Sequence, residues 1–191
     1  MKVIILIDFQ LINKNLTIKL RRLHFFKNLN DTRNFIEREN LEILDNKEIL
    51  SSDNIQNLIE LINRYCSGEK IELFEKITEL DIKLEIQEIF PTNFSQNVAK
   101  SLLNIKHGEI STYSQIGNII GSKAFRAIGN ICKSNPIPLI IPCHRVLRKD
   151  GNIGGFMGKS EKTWETSLKK KLLKIEGYRG KNSTFIQSKL I

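Results

Sequence analysis

Cys143 is followed directly by His144 in a chain of 191 residues whose other cysteines are Cys66 and Cys132 and whose other histidines are His24 and His107. A thiolate is a strong nucleophile, but at an ordinary pKa of about 8.5 only a few per cent of a cysteine is ionised at neutral pH. An imidazole beside it that takes the proton, directly or through a water, removes that limit. A carboxylate behind the imidazole orients it and stabilises the imidazolium, and Glu176 is placed to be that third member. The chemistry these residue types point to is covalent attack by sulfur. Three cysteines with no CxxC pair exclude a disulfide framework and a four-thiolate zinc site, and a mixed site would need ligands scattered over the whole chain. We therefore expect reduced thiols, a cytoplasmic protein, no metal and no cofactor.

The elements that must hold these groups can be read around them. Upstream of Cys143 lies the apolar run Ile137 to Ile141, interrupted by Pro138 and ended by Pro142. It reads as a buried strand and a proline turn that would hold the thiol rigidly. Downstream, Asp150 to Gly158 is a glycine-rich loop, and Trp164 to Ile175 is a basic helix that delivers Glu176 and ends at Gly177. Before the strand come three helical segments. Thr92 can cap the first, with Phe94, Val98, Leu102 and Ile105 on one side and His107 and Gly108 at its end. Ser111 or Thr112 can cap the second, whose apolar face is Ile116, Ile119 and Ile120, and Gly121 stops it. Ser122 can cap the third, which runs to about Ser134 before Asn135 and Pro136 break it. Two short helices joined by a tight glycine turn have a helix-turn-helix shape. At about 100° per residue the third helix gathers Lys123, Arg126, Asn130 and Lys133 in one sector. Ala124, Ala127, Ile128 and Ile131 turn inward, and Cys132 lies opposite the polar sector, as a small buried hydrophobe would.

The amino-terminal half reads as mixed α/β, with a strand at 2 to 9, further strands near 16 to 27 and 41 to 44, and a helix over 53 to 66. That helix carries Ile55, Leu58, Ile59, Ile62 and Tyr65 at helical spacing, with Ser52 or Asp53 to start it and Gly68 to end it. The opening apolar run Val3 to Ile7 stops at Asp8, far short of the ~20 residues of a membrane span. Phe90 and Pro91 mark a boundary, because proline disfavours helix before it and the charge changes sign there. Residues 1 to 91 hold 13 Lys and Arg against 16 Asp and Glu, whereas residues 92 to 191 hold 17 against 5. A basic half of that density favours a polyanion, nucleic acid first. The organisation expected is an α/β domain over 1–90, a DNA-binding and reactive domain over 91–177, and a tail over 178–191.

The segment NPIPLIIPCHRV, Asn135 to Val146, resembles the active-site signature of the O6-alkylguanine-DNA alkyltransferases, the methylated-DNA–protein-cysteine methyltransferases. The similarity extends through GEISTYSQIG (Gly108 to Gly117), AFRAIG (Ala124 to Gly129), GNIGGF and LLKIEG, covering roughly residues 90 to 177. In the first half it is limited to the Tyr65 and Gly68 spacing in LINRYCSG. The resemblance implies an α+β fold, with a ribonuclease-H-like amino-terminal domain and a mainly helical, winged-helix-like domain carrying the helix-turn-helix. It implies a monomer that acts once on double-stranded DNA containing O6-alkylguanine, with O4-alkylthymine as a further substrate. Cys143 would accept the alkyl group, His144 and Glu176 would form a water-bridged relay, and Asn135 would hold the turn between recognition helix and active-site strand.

The same resemblance implies that Arg126 fills the gap left by the rotated nucleotide and that Tyr113 crowds the phosphate and hydrogen-bonds the guanine. The family uses its helix-turn-helix in the minor groove, where small Ala127 and Gly129 would allow close approach, and the sector holding Lys123 and Asn130 reads as a face for phosphate and base edges. Backbone groups of Cys143 and Val146 would meet the exocyclic amine. Phe156 stands where the family commonly has tyrosine and Met157 where serine is common, leaving the Met157 amide to donate to O6. The stretch between Gly158 and Glu176 is several residues longer than usual. A base in a duplex cannot present O6 to a sulfur, so extrusion is required, and the thioether formed has no group to reverse it. Two other classes remain in view: a sensor that flips and binds the lesion, which Cys143 argues against, and a cysteine hydrolase, which would turn over an ester or amide.

Overall fold

The computed structural model describes residues 3–12, 18–39, 41, 52–80, 82–160 and 162–180. Strand β1 (Ile4–Leu11) pairs antiparallel with β2 (Ile18–Phe26), Ile4 opposite Phe26 and Leu11 opposite Ile18. The register shifts where Asp8 faces Arg22 and Phe9 faces Leu20, leaving Arg21 as the extra residue. That bulge reverses the alternation, so that Ile18 and Leu20 before it and Leu23 and Phe25 after it all reach the core. Helix α1 (Leu29–Arg38), where no element was expected, is capped by the Asn28 side chain accepting from the Asp31 amide. Of the strand expected near 41–44, Leu41 is not in a strand and 42–50 lie outside the described residues.

Helix α2 (Asp53–Cys66) follows the expected periodicity, burying Ile55, Leu58, Leu61, Ile62 and Tyr65, while Ile59 is on the exposed side. Short helices α3 (Leu73–Glu79) and α4 (Ile86–Ile89) lead to α5 (Asn93–Leu103), which opens on a capping box between Thr92 and Ser95. Strand β3 (Ser111–Thr112) runs into α6 (Tyr113–Ile119), again with a capping box, Thr112 with Gln115. Helix α7 (Phe125–Lys133) starts later than expected: its cap is Ala124, which is exposed, and the Ser122 hydroxyl instead accepts from the Ala124 amide at 3.1 Å. Gly117 lets α6 and α7 meet, because a Cβ there would stand 2.5 Å from the Ser122 carbonyl oxygen and 2.6 Å from the Phe125 ring. Strand β4 (Val146–Leu147) pairs in parallel with β3, and α8 (Trp164–Ile175) has the predicted bounds.

The expected strand Ile137 to Ile141 is a series of turns. Pro138 and Pro142 have no amide to give a ladder, Leu139 adopts a left-handed φ of 77°, and the Ile141 amide closes back on Ile137 at 3.0 Å. The architecture is a mixture of helices and small two-stranded sheets. One core runs through both halves, from Leu20 and Tyr65 to Leu102, Ile128 and Leu172. The Leu23 amide donates to Pro136 at 2.8 Å, fastening the hairpin to the loop after α7. Among the described residues no helix is long and apolar enough to cross a membrane.

Candidate active site

Cys143 opens a single 3-10 turn, Cys143–Arg145, directly after Pro142, and all three of its residues are buried. The Asn135 side chain shapes the approach to it. Its carbonyl accepts from the Ile137 amide at 3.1 Å, and its amide donates to Ile141 O at 2.8 Å and to Cys143 Sγ at 3.2 Å. Behind the thiol, His144 Nε2 lies 3.1 Å from Glu176 Oε1, so α8 delivers the carboxylate in spite of the long segment before it. His144 Nδ1 is buried with no partner among the described residues. Arg145 holds the same carboxylate, Nε at 3.0 Å from Oε2 and Nη2 at 2.8 Å from Oε1. Tyr65, from α2, donates to Oε1 at 2.6 Å and stands 3.2 Å from His144 Nε2. Glu72 accepts from the His107 amide at 2.7 Å and from Arg145 at 3.4 Å.

Burial pushes the Cys143 thiol up, while the Asn135 hydrogen bond and the charge of Lys169 pull the other way, so the resting group is the neutral thiol. Burial likewise lowers the His144 pKa against the pull of Glu176, leaving a neutral imidazole. Glu176, in contrast, keeps its charge. Burial would raise its pKa, but the His144 hydrogen bond and the bonds and charge of Arg145 outweigh that and keep it an ionised carboxylate.

In front of Cys143 is a cavity of about 330 Å³, the scale of a small-molecule site, lined by Tyr113, Gly129, Cys132, Phe156 and Met157 among others. Its outer wall is a tight turn in which Phe156 and Lys159 exchange backbone hydrogen bonds at 3.1 and 3.0 Å, with positive φ at Met157 (49°) and Gly158 (79°). Gly155 is required there, since a Cβ would fall 2.4 Å from the Lys159 carbonyl oxygen. Lys169, 1% exposed on α8, ties this wall down: Nζ donates to Val146 O at 2.7 Å, Ile153 O at 2.8 Å and Gly155 O at 3.4 Å. Burial lowers its pKa to about 8. Val146 is fully buried and does not line the cavity, its carbonyl being taken by Lys169.

Lys123, Arg126 and Asn130 are exposed, Lys123 just before α7 and the other two on it, and none of them lines the cavity, while Ala127 is half-buried and Lys133 is part of the cavity lining. A larger cleft of about 590 Å³ between β2 and the loop after α7 has no cysteine in its lining. No group of three or more His, Cys, Asp or Glu among the described residues could hold a metal ion. Four side chains bonded around this site are not singled out as site residues by the sequence: Tyr65, Glu72, Arg145 and Lys169. A usable signal existed for Lys169, which interrupts the apolar stripe of α8 at helical spacing from Leu172, Leu173 and Glu176.

Residues 93–178 match the family model described as 6-O-methylguanine DNA methyltransferase, DNA binding domain. A probable methylated-DNA–protein-cysteine methyltransferase of Acanthamoeba polyphaga mimivirus is 36% identical over 118 residues, 61% of this chain and 73% of that one. The Mycobacterium tuberculosis OGT solved in complex with DNA superimposes with a TM-score of 0.50 at 30% identity, over 64% of this chain and 66% of its own. A structure of the O6-methylguanine methyltransferase from the same organism covers 93% of this chain and 97% of its own, with a TM-score of 0.59 at 23% identity, a likeness of fold.

Proposed function

The chain belongs to the methylated-DNA–protein-cysteine methyltransferase family, and we propose that it repairs O6-alkylguanine in duplex DNA by moving the alkyl group permanently onto its own Cys143. The observation that carries the reading is the position of Cys143, lining a base-sized cavity that Lys133 of α7 also lines, with His144, paired to Glu176, beside it in the same 3-10 turn.

The resting thiol is neutral, so the relay must work at the moment of reaction. His144 Nδ1, an unpartnered buried acceptor, suits a water that carries the Cys143 proton to the ring. Glu176, held ionised by Arg145, then faces the imidazolium. The thiolate pair attacks the alkyl carbon, the carbon–oxygen bond breaks, and its electrons go to O6. A proton returned to the base leaves ordinary guanine, and Cys143 keeps a thioether. Tyr113 and Met157 line the cavity; the Tyr113 hydroxyl and the Met157 amide would hold the base, and Asn135, which donates to Cys143 Sγ, would align the sulfur.

Extrusion costs least for a base whose pairing is already weakened, which favours the lesion. Arg126 would take the vacated place in the stack, Lys123 and Asn130 would meet the backbone, and Ala127 and Gly129 would permit close approach in the minor groove. We further assign the chain a ribonuclease-H-like domain up to Phe90 and a winged-helix-like domain from Pro91 to Gly177, acting as a monomer. A reducing compartment such as the cytoplasm suits a reaction that consumes a free thiol.

Incubation with a duplex containing O6-methylguanine should add one methyl to Cys143 and none to Cys143→Ala, read by intact mass and peptide mapping. A reduced wild-type protein that stays unmodified, or that removes many methyl groups per chain, would overturn this function.

A further inference from the structure

The carboxylate and imidazole of the relay both meet a side chain from the amino-terminal half. We propose that Tyr65 is a positioning residue for alkyl transfer, its hydroxyl holding His144 in the tautomer that leaves Nδ1 free to take the Cys143 proton. The inference rests on the transfer reaction proposed above.

Tyr65 is fully buried, and a phenol there must satisfy its hydroxyl. It spends its single proton on Glu176 Oε1, at 2.6 Å. Burial and the adjacent Glu176 carboxylate raise its pKa, so the proton stays on the phenol. Only lone pairs of the phenolic oxygen are then left for His144 Nε2, 3.2 Å away. Glu176 Oε1, at 3.1 Å from the same nitrogen, also offers only lone pairs, because Arg145 keeps the carboxylate ionised. Facing two acceptors and no donor, Nε2 must carry the ring hydrogen, and Nδ1 is left as the base.

Glu176 alone is a poor lock. Its Oε1 already accepts from Arg145 twice, from Nη2 at 2.8 Å and from Nε at 3.1 Å, and the bond to His144 at 3.1 Å is no shorter than either. The Nε2 hydrogen is shared between two long contacts, and the phenolic oxygen supplies one of them. Phenylalanine would fill the same core space and remove the hydroxyl alone, and with it both the contact to His144 Nε2 and the bond to Glu176 Oε1. Tyr65 and Glu72 together make the amino-terminal half part of the machinery, since Glu72 braces Arg145 from the other side.

The test pairs a spectrum with a rate. Nitrogen NMR of labelled histidine should show His144 as the Nε2–H tautomer in the wild type and as a mixture in Tyr65→Phe. Single-turnover methyl transfer by Tyr65→Phe should fall about tenfold, the scale of one hydrogen bond, with duplex affinity unchanged. A core-filling role would lower the melting temperature without moving the tautomer. An unchanged tautomer in the variant, or a rate within twofold of wild type, overturns the proposal. If Tyr65→Phe does not fold, the wild-type spectrum decides, and an Nδ1–H tautomer there refutes it. A wild type that transfers no methyl defeats the functional reading instead, and the spectrum, which needs no substrate, tells the two failures apart.

Discussion

Replacing Lys169 by methionine should slow alkyl transfer far more than it destabilises the protein. The two short bonds from Nζ, 2.7 Å to Val146 O and 2.8 Å to Ile153 O, would be lost. Leaving the buried Val146 carbonyl and the part-buried Ile153 carbonyl unpaired costs about 2–6 kcal/mol. Against this stands the cost of keeping a buried ammonium. A pKa lowered from 10.5 to about 8 corresponds to ~3 kcal/mol at about 1.4 kcal/mol per unit. Methionine carries no charge and fills the space of the alkyl stem. The opposing effects leave a net loss of at most about 3 kcal/mol, within the total of ~5–15 kcal/mol for a native domain. The cavity wall is affected differently, because Ile153 to Gly155 lose their anchor to α8. A misplacement of about 1 Å at a reacting centre can cost ~100-fold. We expect Lys169→Met to fold and to react with free O6-benzylguanine about 30–100-fold more slowly, urea melts and single-turnover kinetics being the assays. A rate within threefold of wild type would refute the anchoring role. A stability loss above about 5 kcal/mol would refute the balance of terms.

Arg126→Ala should weaken repair in duplex DNA by at least about tenfold while leaving reaction with free O6-benzylguanine nearly unchanged, because only the duplex needs a substitute in the base stack; equal losses on both substrates would remove Arg126 from that role. Glu176→Gln should destabilise the fold by about 3–5 kcal/mol, since it leaves the buried Arg145 with only the longer 3.4 Å contact to Glu72 as counter-charge, and chemical denaturation measures it. The folded pKa of Glu176 lies below its ordinary 4.5, so its contribution is complete above about 4.5 and is lost as the pH falls below that value. The gap in stability between wild type and Glu176→Gln should therefore narrow between about pH 5 and 3, and a gap that stays constant would contradict the assignment.

The parts of the fold legible in the sequence are those governed by local rules. Helix α8 and its end at Glu176 follow from apolar spacing and a terminal glycine, and α5 and α6 start at threonines that cap them. What was misread depended on contacts distant in sequence. Ile137 to Ile141 has strand composition, yet two prolines and the Asn135 side chain fold it into turns, and composition does not report hydrogen-bond supply. The bulge at Arg21 is invisible until β1 is laid beside β2. Tyr65 matched the apolar face of α2 and so passed as core, because nothing local shows that its hydroxyl meets groups 79 and 111 residues further on. Cys143 and His144 are singled out by the NPIPLIIPCHRV string, since adjacency of a cysteine and a histidine alone is weak evidence.

Burial of the thiol and the arrangement of charge around it have to be considered together. A 4% exposed cysteine is protected from casual oxidants but resists ionisation. Arg145 is neutralised by Glu176, so it adds little net charge at the sulfur. Lys169 is different: among the described residues it binds only carbonyl oxygens and pairs with no carboxylate. Its charge and that of the Cys143 thiolate favour one another. In the relay proposed above, the anion formed when the proton leaves Cys143 for the ring of His144 would be favoured by the charge of Lys169. At rest the ammonium remains costly to bury, which is why its pKa falls to about 8. Part of that cost is recovered only when the thiolate appears, so Lys169 favours the reacting state over the resting one. This electrostatic part separates from the anchoring part by pH. If it operates, the advantage of wild type over Lys169→Met should shrink as the pH rises through about 8 and the ammonium is lost; an advantage that stays level from pH 7 to 9 would leave the anchor as the whole of its effect.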